Sequence, residues 1–417
     1  MNTKTSSYEA KPGEVKKVVL LYSGGLDTSC MLKWIPEKYD AEIIALTLDV
    51  GQPGIDLQSI KQKALNLGAK AAYVFDVKKE FADEYLSKAI KANALYQDAY
   101  PLSTALARPI KSKYAVQVAQ NEKAEAVAHG STGKGNDQVR FDISITTLDP
   151  KIKIIAPVRE WSMTRDAEIE YANKNNIPLP QNKGKYSTDE NLWGKSSECG
   201  ILEHPEEEPP EDVFNYVTLP EKAPDKAEYV ELDFKQGIPV SINGKSMELW
   251  LLITTFNKIA AKHGVGIIDH MEDRVVGLKS REVYECPAAV CILAAHKDLE
   301  KFTSTIHENK FKPLVDKTWG EMVYCGLWFD PLMKALEAFT DQVNQKVEGK
   351  VKLKLYKGHA KVVGRESKNA LYNLNLATYD KGQTFNQQAS PGFIELFGLQ
   401  TKMVNQIQKG KHGKTLV

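Results

Sequence analysis

One stretch restricts the fold of this chain more than any other: the apolar run Val18–Leu21 and the polar loop that follows it, Ser23–Ser29. A short, unbroken apolar run that stops at glycine is typical of a strand buried on both faces, as in a parallel sheet. Gly24 and Gly25 allow a tight turn, and the next residues can begin a helix whose N-terminus attracts anions. The stretch therefore predicts a phosphate site directly after a buried strand.

The residue sequence of this loop excludes two common phosphate-binding motifs. No Gly-Lys-Ser/Thr ends it, so it is not a Walker loop, and Gly-x-Gly-x-x-Gly is absent, so it is not the dinucleotide fingerprint. An ordinary strand-to-helix turn is the alternative. We favour the phosphate site because a serine, two glycines, an acidic residue and two further hydroxyl side chains rarely occur together directly after a buried strand.

Further strands and helices alternate after the loop. A helix limited by Pro36 precedes a strand at Ile43–Leu48, and an amphipathic helix ended by Gly68 precedes a strand at Ala71–Val77. This order predicts a doubly wound parallel sheet, which binds ligands beyond the carboxyl ends of its strands. Leu48 would then lie near an adenine or ribose, with a core position as the alternative.

A second glycine-rich loop, His129–Phe141, follows the predicted strand Ala124–Ala128 and a helix that reaches about residue 122. Lys134 and Arg140 offer cations for a phosphate or a carboxylate, while Asn136 and Asp137 can hold an amine. A solvated turn is the alternative, but it leaves the position at a strand end unexplained.

Composition limits the class of protein. The chain has 417 residues, 42% of them hydrophobic, and 55 basic against 54 acidic side chains, so neither nucleic acid nor an anionic membrane is expected as a partner. Five cysteines without a Cys-x-x-Cys pair indicate reduced thiols, and no apolar run approaches the roughly 18 residues of a membrane span. We expect a soluble, cytoplasmic protein.

The second half has another character. Tyr229–Phe234 and Pro239–Ile242 alternate like strands, Met247–His263 is an amphipathic helix, and Pro287 and Pro331 stand where helices begin. The fold class is therefore α/β, a doubly wound nucleotide-binding domain with a second, α+β domain and a C-terminal helical arm. The expected segments are a flexible tail at 1–15, the nucleotide-binding domain at 16–180, the α+β domain at 181–380 and the arm at 381–417.

The arm carries an apolar stripe at helical spacing. Ser390 and Pro391 fit the cap and first turn of a helix, and the stripe runs from Phe393 to Ile407. It either packs on its own domain or joins copies of the chain.

The two loops together resemble those of a known family. Tyr22 followed by Ser-Gly-Gly-Leu-Asp-Thr-Ser is similar to the loop of N-type ATP pyrophosphatases, and the second loop is similar to that of the argininosuccinate synthases among them. The resemblance extends from Lys16 to Asn375 through four shorter motifs, which are Ile154–Pro157, Ser187–Leu192, Lys279–Arg281 and Gly364–Ser367. It implies that ATP, citrulline and aspartate give argininosuccinate, AMP and pyrophosphate through a citrullyl adenylate, in a homotetramer held by the arm.

The resemblance also implies residue roles. The ATP-binding residues would be Leu21, Tyr22, Ser23, Gly24, Gly25, Leu26, Asp27, Thr28, Ser29, Leu48 and Gly130. Those for aspartate would be Thr132, Asn136 and Asp137, and those for citrulline Tyr100, Thr104, Asn136, Arg140, Ser187, Ser196, Glu272 and Tyr284. Asp27, Asp137 and Arg140 would be catalytic, and Asp27 would help to hold Mg²⁺.

Three positions depart from the family pattern without changing a charge: Leu21, Ser103-Thr104-Ala105, where the contact passes to Thr104, and Cys286. Other ATP pyrophosphatases are competing interpretations. A tRNA thiolase would need reactive cysteine pairs and a basic face, and a GMP synthetase usually adds a glutamine-hydrolysing domain. A nucleotide-binding regulatory protein on the same fold is a third, which the second domain and the residues from Lys134 to Arg140 disfavour.

Overall fold

The computed structural model describes residues 6–54, 56–161, 163, 165–179, 185–379 and 384–412. Two compact units divide the chain, Met1–Asn369 and Ala370–Val417. The first unit contains a parallel sheet followed by two antiparallel sheets. The second is helical.

A five-stranded parallel sheet forms the N-terminal part of the first unit. Its strands are β1 (Lys17–Leu21), β2 (Glu42–Asp49), β3 (Ala71–Asp76), β4 (Ala126–Ala128) and β5 (Lys153–Ile155). Their spatial order is β3-β2-β1-β4-β5, so β1 pairs with β2 on one side and with β4 on the other. The strand order reverses at β1 and β4, which is where open α/β sheets bind ligands. Both predicted glycine loops follow these two neighbouring strands.

Helices connect the parallel strands. They are α1 (Leu26–Tyr39), α2 (Leu57–Asn66), α3 (Lys78–Phe81), α4 (Ser87–Lys91), α5 (Ser103–Glu122), α6 (Asn136–Leu148), α7 (Pro157–Trp161) and α8 (Arg165–Lys174). A π-helical turn, Ala82–Leu86, separates α3 from α4. α4 ends at Lys91, and Asn93 beyond it has a positive φ of 42°.

The expected limit at Pro36 is wrong. α1 continues through Pro36 to Tyr39 and ends where Asp40 adopts a left-handed conformation and donates its N–H to the Pro36 carbonyl at 2.9 Å. Proline removes one helical hydrogen bond, but Ile35 and Tyr39 on either side of it are fully buried. Core packing of these side chains stabilises the last turn.

Part of the expected N-terminal tail is held by the sheet. Glu9 forms a parallel bridge with Ile154, whose N–H donates to the Tyr8 carbonyl at 2.9 Å and whose carbonyl accepts from Ala10 at 3.0 Å. Ala10 and Val15 are buried. Residues 8–10 therefore extend the sheet beside β5, in contrast to the loose tail expected there.

Nine antiparallel strands follow in the described part of the first unit. They are β6 (Ser187–Asn191), β7 (Gly194–Glu198), β8 (Glu228–Lys235), β9 (Ile238–Ile242), β10 (Lys245–Ser246), β11 (Ile267–Asp273), β12 (Lys279–Glu285), β13 (Gly349–Tyr356) and β14 (His359–Glu366). One sheet has the order β11-β12-β7-β6 and the other β10-β9-β8-β13-β14. The turn Asn243-Gly244 joins β9 to β10 with positive φ at both residues.

Four helices lie between these strands. They are α9 (Leu249–Lys262), α10 (Pro287–Thr303), α11 (Ile306–Tyr324) and α12 (Pro331–Asn344). Pro287 and Pro331 occupy first helical positions, where a missing N–H is tolerated, as the sequence predicts. The α/β fold class is confirmed, with an apolar core that continues from the parallel sheet into the α+β part.

The second unit contains α13 (Leu374–Ala377), α14 (Ser390–Phe397) and α15 (Leu399–His412). Ser390 is the first helical residue and Ala389 the N-cap, one position earlier than expected. Its apolar side chains are exposed: Phe393 63%, Ile394 60%, Phe397 79%, Val404 54% and Ile407 56%.

Candidate active site

The first glycine loop turns directly from β1 into α1. Gly24 has a φ of +80°, which L side chains rarely adopt, and Ser29 donates its hydroxyl hydrogen to the Gly25 carbonyl at 2.7 Å. Ser23 Oγ accepts from the Gly25 N–H at 3.3 Å and lies 3.1 Å from the Thr28 hydroxyl. The N-cap residue of α1 is Gly25, which has no side chain to cap the helix. The N-terminus of α1 therefore faces the loop with backbone N–H groups that can bind an anion.

Neighbouring elements fix this loop. Thr47 on β2 donates to the Tyr22 carbonyl at 2.8 Å, and Lys63 on α2 donates to the Gly24 carbonyl at 2.7 Å. A Cβ on Gly130 would lie 3.1 Å from Met31 on α1, so the second loop approaches the first closely. Leu48 is buried in β2, as its alternative interpretation as a core residue requires.

The second loop ends where α6 begins, at Asn136. His129 and Asp142 anchor its start: His129 Nε2 lies 2.7 Å from Asp142 Oδ1, and His129 Nδ1 accepts from the Ser131 N–H at 3.2 Å. Asn136 and Asp137 therefore occupy the first turn of α6, and Arg140 lies one turn further on the same face. Thr132 is exposed on the loop.

Arg140 is a buried cation, and one of its terminal nitrogens has no hydrogen-bond partner among the described residues. Its Nε donates to the Tyr324 carbonyl at 2.8 Å and its Nη1 to Asp137 at 3.0 Å, while Nη2 has no hydrogen-bond partner among the described residues. The guanidinium lies 4.8 Å from the centre of the Tyr324 ring. Gly326 packs so closely that a Cβ there would meet Arg140 Cα at 2.7 Å. This rigid fork suits a ligand carboxylate.

Asp137 is held between two arginines. Besides Arg140, it accepts from Arg108 Nη2 at 2.6 Å, and Arg108 also pairs with Asp189. Although burial opposes it, the two guanidinium groups keep the pKa of Asp137 far below its usual range. Asp137 is therefore a permanent carboxylate that orients Arg140 and is unsuited to act as a general base.

A buried carboxylate, Glu272, is linked to Arg140 through Tyr324, which both residues contact. It accepts from Tyr324 Oη at 2.5 Å on one oxygen and from Tyr284 Oη at 2.5 Å on the other. Tyr284 stacks on Tyr100 and Tyr324 on Tyr96, with ring centres 3.9 and 3.4 Å apart. Burial and Glu272 raise the pKa of both hydroxyls that contact it, so they stay protonated donors.

Sheet register explains why residues distant in sequence meet here. Asp189, Ser196 and Tyr284 are direct partners across β6, β7 and β12, so they share one face. Ser196 Oγ lies 3.3 Å from Thr104 Oγ1, and the Thr104 N–H donates to Tyr100 Oη at 2.8 Å. The structure thus joins seven of the eight predicted citrulline residues, while Ser187 lies exposed two residues before Asp189.

The turn between β11 and β12 closes on the second loop. Arg274 donates to the Lys134 carbonyl at 3.3 Å and pairs with Glu282 at 2.8 Å and with Glu198. The Val275 N–H donates to Asn136 Oδ1 at 2.8 Å. These contacts attach the start of α6 to the antiparallel sheet.

Sequence reasoning missed several members of this site. Arg108 contacts the predicted residue Asp137, and Tyr324 contacts Arg140. Asp189 is the strand partner of the predicted Ser196, and Arg274 donates to the carbonyl of Lys134. None of these four residues was predicted. Arg108 lies in the helix after the predicted residue Tyr100, and Asp189 lies within the family motif Ser187–Leu192. Both could have been found from their nearness in sequence to residues already recognised. No comparable motif indicated Tyr324.

Two glycine-rich loops at adjacent parallel strands, next to an antiparallel sheet that carries buried polar side chains, are the arrangement expected of a nucleotide-dependent synthetase of the ATP pyrophosphatase class. Family comparison agrees: the sequence model described as "Arginosuccinate synthase N-terminal HUP domain" matches residues 17–178, and that of the "Arginosuccinate synthase C-terminal domain" matches 186–404. The chain belongs to the argininosuccinate synthase family, whose ATP-dependent ligases join citrulline and aspartate in arginine biosynthesis.

Curated relatives match nearly the whole chain. Argininosuccinate synthase of Pyrococcus furiosus is 54% identical over 95% of this chain and 96% of its own length. Those of Oceanobacillus iheyensis and Halalkalibacterium halodurans are 52% and 54% identical over 96% of this chain, and over 95% and 98% of their own lengths. Within the described residues, no helix is both long and apolar enough to cross a membrane.

Proposed function

We propose that this chain uses ATP to join citrulline and aspartate into argininosuccinate, releasing AMP and pyrophosphate, with the residue roles given below. The observation that carries the assignment of the site is the buried Arg140 guanidinium, whose Nη2 lacks a partner among the described residues and which contacts Tyr324, the same residue that donates to the carboxylate of Glu272. A cation with a free donor and a fixed anion that contact the same tyrosine are complementary to the carboxylate and the ammonium of an amino acid.

The first loop would hold the phosphates. Its contributions are the uncapped start of α1, the hydroxyls of Ser23, Thr28 and Ser29, and the backbone at Gly24 and Gly25. Gly130 on the neighbouring loop and Leu48 would lie near the rest of the nucleotide.

Mg²⁺ fits this loop only together with ATP. Asp27 is an exposed carboxylate in the first turn of α1, and the described residues contain no cluster of three His, Cys, Asp or Glu side chains able to hold a metal. Mg²⁺ commonly takes one or two carboxylates plus substrate phosphate oxygens. Asp27 would supply one such ligand, and the ion would neutralise phosphate charge.

The second loop and the antiparallel sheet would hold the amino acids. Arg140 would bind the citrulline carboxylate and Glu272 its ammonium, with Tyr100, Thr104, Ser187, Ser196 and Tyr284 around the side chain. Thr132, Asn136 and Asp137 would bind aspartate. Since Asn136 already contacts Val275 and Tyr324, and Asp137 both arginines, aspartate would join an existing hydrogen-bond network.

The chemistry requires two displacements. The citrulline ureido oxygen attacks the α-phosphorus, and the bond to pyrophosphate breaks with its electron pair leaving on the pyrophosphate. The aspartate nitrogen then attacks the ureido carbon, and the carbon–oxygen bond to AMP breaks. Positioning and fixed charge would stabilise both steps without a covalent enzyme intermediate.

A pyrophosphate-release assay tests the proposal. ATP is supplied with citrulline alone, with aspartate alone and with both, and argininosuccinate is measured alongside. We expect argininosuccinate and its equivalent of pyrophosphate only with both amino acids. Turnover with ornithine in place of citrulline, or with aspartate in the absence of citrulline, would contradict the proposal.

We also infer a homotetramer and a cytoplasmic location. The exposed stripe on α14 and α15 supports association of copies, since such a surface rarely stays in contact with water. None of the five cysteines, all of which lie within the described residues, forms a disulfide, in keeping with a reducing compartment.

A further inference from the structure

Lys63 on α2 lies beside the first glycine loop and is not among the residues that the family resemblance assigns. We propose that Lys63 binds the pyrophosphate portion of ATP and stabilises it as it leaves. The inference rests on the proposed function and adds one further residue to the same site.

α2 covers the loop at close range. The Ile60 side chain lies 3.1 Å from the place that a Cβ on Gly24 would occupy, so this face of α2 is in contact with the loop backbone. One turn on, Lys63 Nζ donates to the Gly24 carbonyl at 2.7 Å. The start of α2 is fixed by Asp56, whose carboxylate accepts from the N–H groups of Gln58 and Ser59. The ammonium is thus held at the loop by a capped helix.

The charge of Lys63 is not neutralised in the structure. It is half-buried, and no carboxylate among the described residues lies within ion-pairing distance of its Nζ. Burial lowers the pKa of Lys63, which shows that the surroundings disfavour an isolated ammonium. Two of its three N–H donors remain available after the bond to Gly24. An anion at the loop would satisfy both the charge and the donors.

The loop itself needs such a cation. Between Tyr22 and Ser29 the only charged residue is Asp27, which is negative, whereas a Walker loop contains its own lysine. Negative charge grows on pyrophosphate as its bond to the α-phosphorus breaks, and a fixed ammonium there stabilises that charge. Lys63 would supply from α2 what the loop sequence lacks.

Binding measurements on full-length Lys63→Met test this role, with pyrophosphate and AMP as separate probes by titration calorimetry. AMP lacks the departing phosphates, so we expect pyrophosphate to bind about 10- to 100-fold more weakly and AMP to bind within about twofold of wild type. Lys63→Arg, which keeps the charge, should retain part of the pyrophosphate affinity. Lys61→Met is the matched control, because Lys61 is an exposed lysine on the same helix.

The outcomes separate this inference from the function on which it rests. Unchanged pyrophosphate binding in Lys63→Met would overturn the role of Lys63, as would equal weakening of AMP and pyrophosphate with a lower Tm, which would make Lys63 only a support for Gly24. A wild-type protein that binds neither probe, and releases no pyrophosphate with ATP, citrulline and aspartate, would overturn the proposed function itself.

Discussion

At the scale of the residue, Arg140 is the residue proposed to bind the citrulline carboxylate, so substituting it tests the amino-acid part of the proposed site. Arg140→Lys keeps the charge but cannot contact Tyr324, Asp137 and a carboxylate through one planar fork. We expect the KM for citrulline to rise about 10- to 100-fold, the value of one charge-assisted hydrogen bond, with little change for ATP. Steady-state kinetics with each substrate varied in turn check this, and Arg365→Lys on the exposed β14 is the control. An equal change in both constants would place Arg140 at the phosphates.

Substitution of Asp27 tests the nucleotide part of the proposed site. The side chain is exposed in the first turn of α1, so Asp27→Asn should fold normally yet reduce kcat by about 10²-fold or more, because it removes charge beside metal and phosphates. Turnover is measured with Mg²⁺ varied to saturation, beside the Asp83→Asn control on the helical surface. A near-normal rate at saturating Mg²⁺ would leave Asp27 with a structural role.

At the scale of the element, a cluster of charged side chains around Arg274 stabilises the β11–β12 hairpin, and we expect this stabilisation to depend on pH. Glu198 and Glu282 share the Arg274 guanidinium, and burial together with Glu198 and Glu272 raises the pKa of Glu282 from 4.5 to about 8. A raised pKa means that the folded state binds this proton more tightly than the unfolded state. The stabilisation is complete below the unfolded value and is lost as pH rises through about 8.

Glu282→Gln should therefore remove this pH dependence. Urea unfolding from about pH 5 to about pH 9 should show the wild-type free energy of unfolding falling with pH relative to that of the variant. Glu366→Gln on the exposed β14 is the control. Parallel curves for wild type and Glu282→Gln would show that Glu282 ionises normally in the folded protein.

At the scale of the whole molecule, the C-terminal unit carries an apolar stripe on α14 and α15 that is exposed in the single chain. Deleting residues 390–417 should convert the expected tetramer into smaller species, because the stripe would no longer join the copies. Light scattering measures the mass, and removal of residues 413–417 alone is the control. An unchanged mass after the longer deletion would exclude α14 and α15 from the assembly contact.

The whole molecule also shows where sequence reasoning failed. Pro36 is a helix breaker by its own chemistry, yet α1 passes through it because Ile35 and Tyr39 are buried in the core. The segment around Glu9 is polar, yet it pairs with Ile154 because the edge of the sheet offers unpaired backbone groups. The residue pattern within a short segment contains no information about the core that buries Ile35 and Tyr39 or about the sheet edge that pairs with Glu9.

The residue pattern alone predicts the first four parallel strands and the two glycine loops, since a buried apolar run before glycine, and glycine before a helix, depend on backbone and side-chain preferences over a few residues. Which groups face each other across the site depends on the tertiary structure. Asp137 meets Arg108 because α6 packs against α5, and Glu272 on β11 meets Tyr324 at the end of α11; these pairs join residues 29 and 52 positions apart. Lys63 at Gly24 is another such contact, because packing of α2 against the loop brings a cation to a backbone turn that contains none.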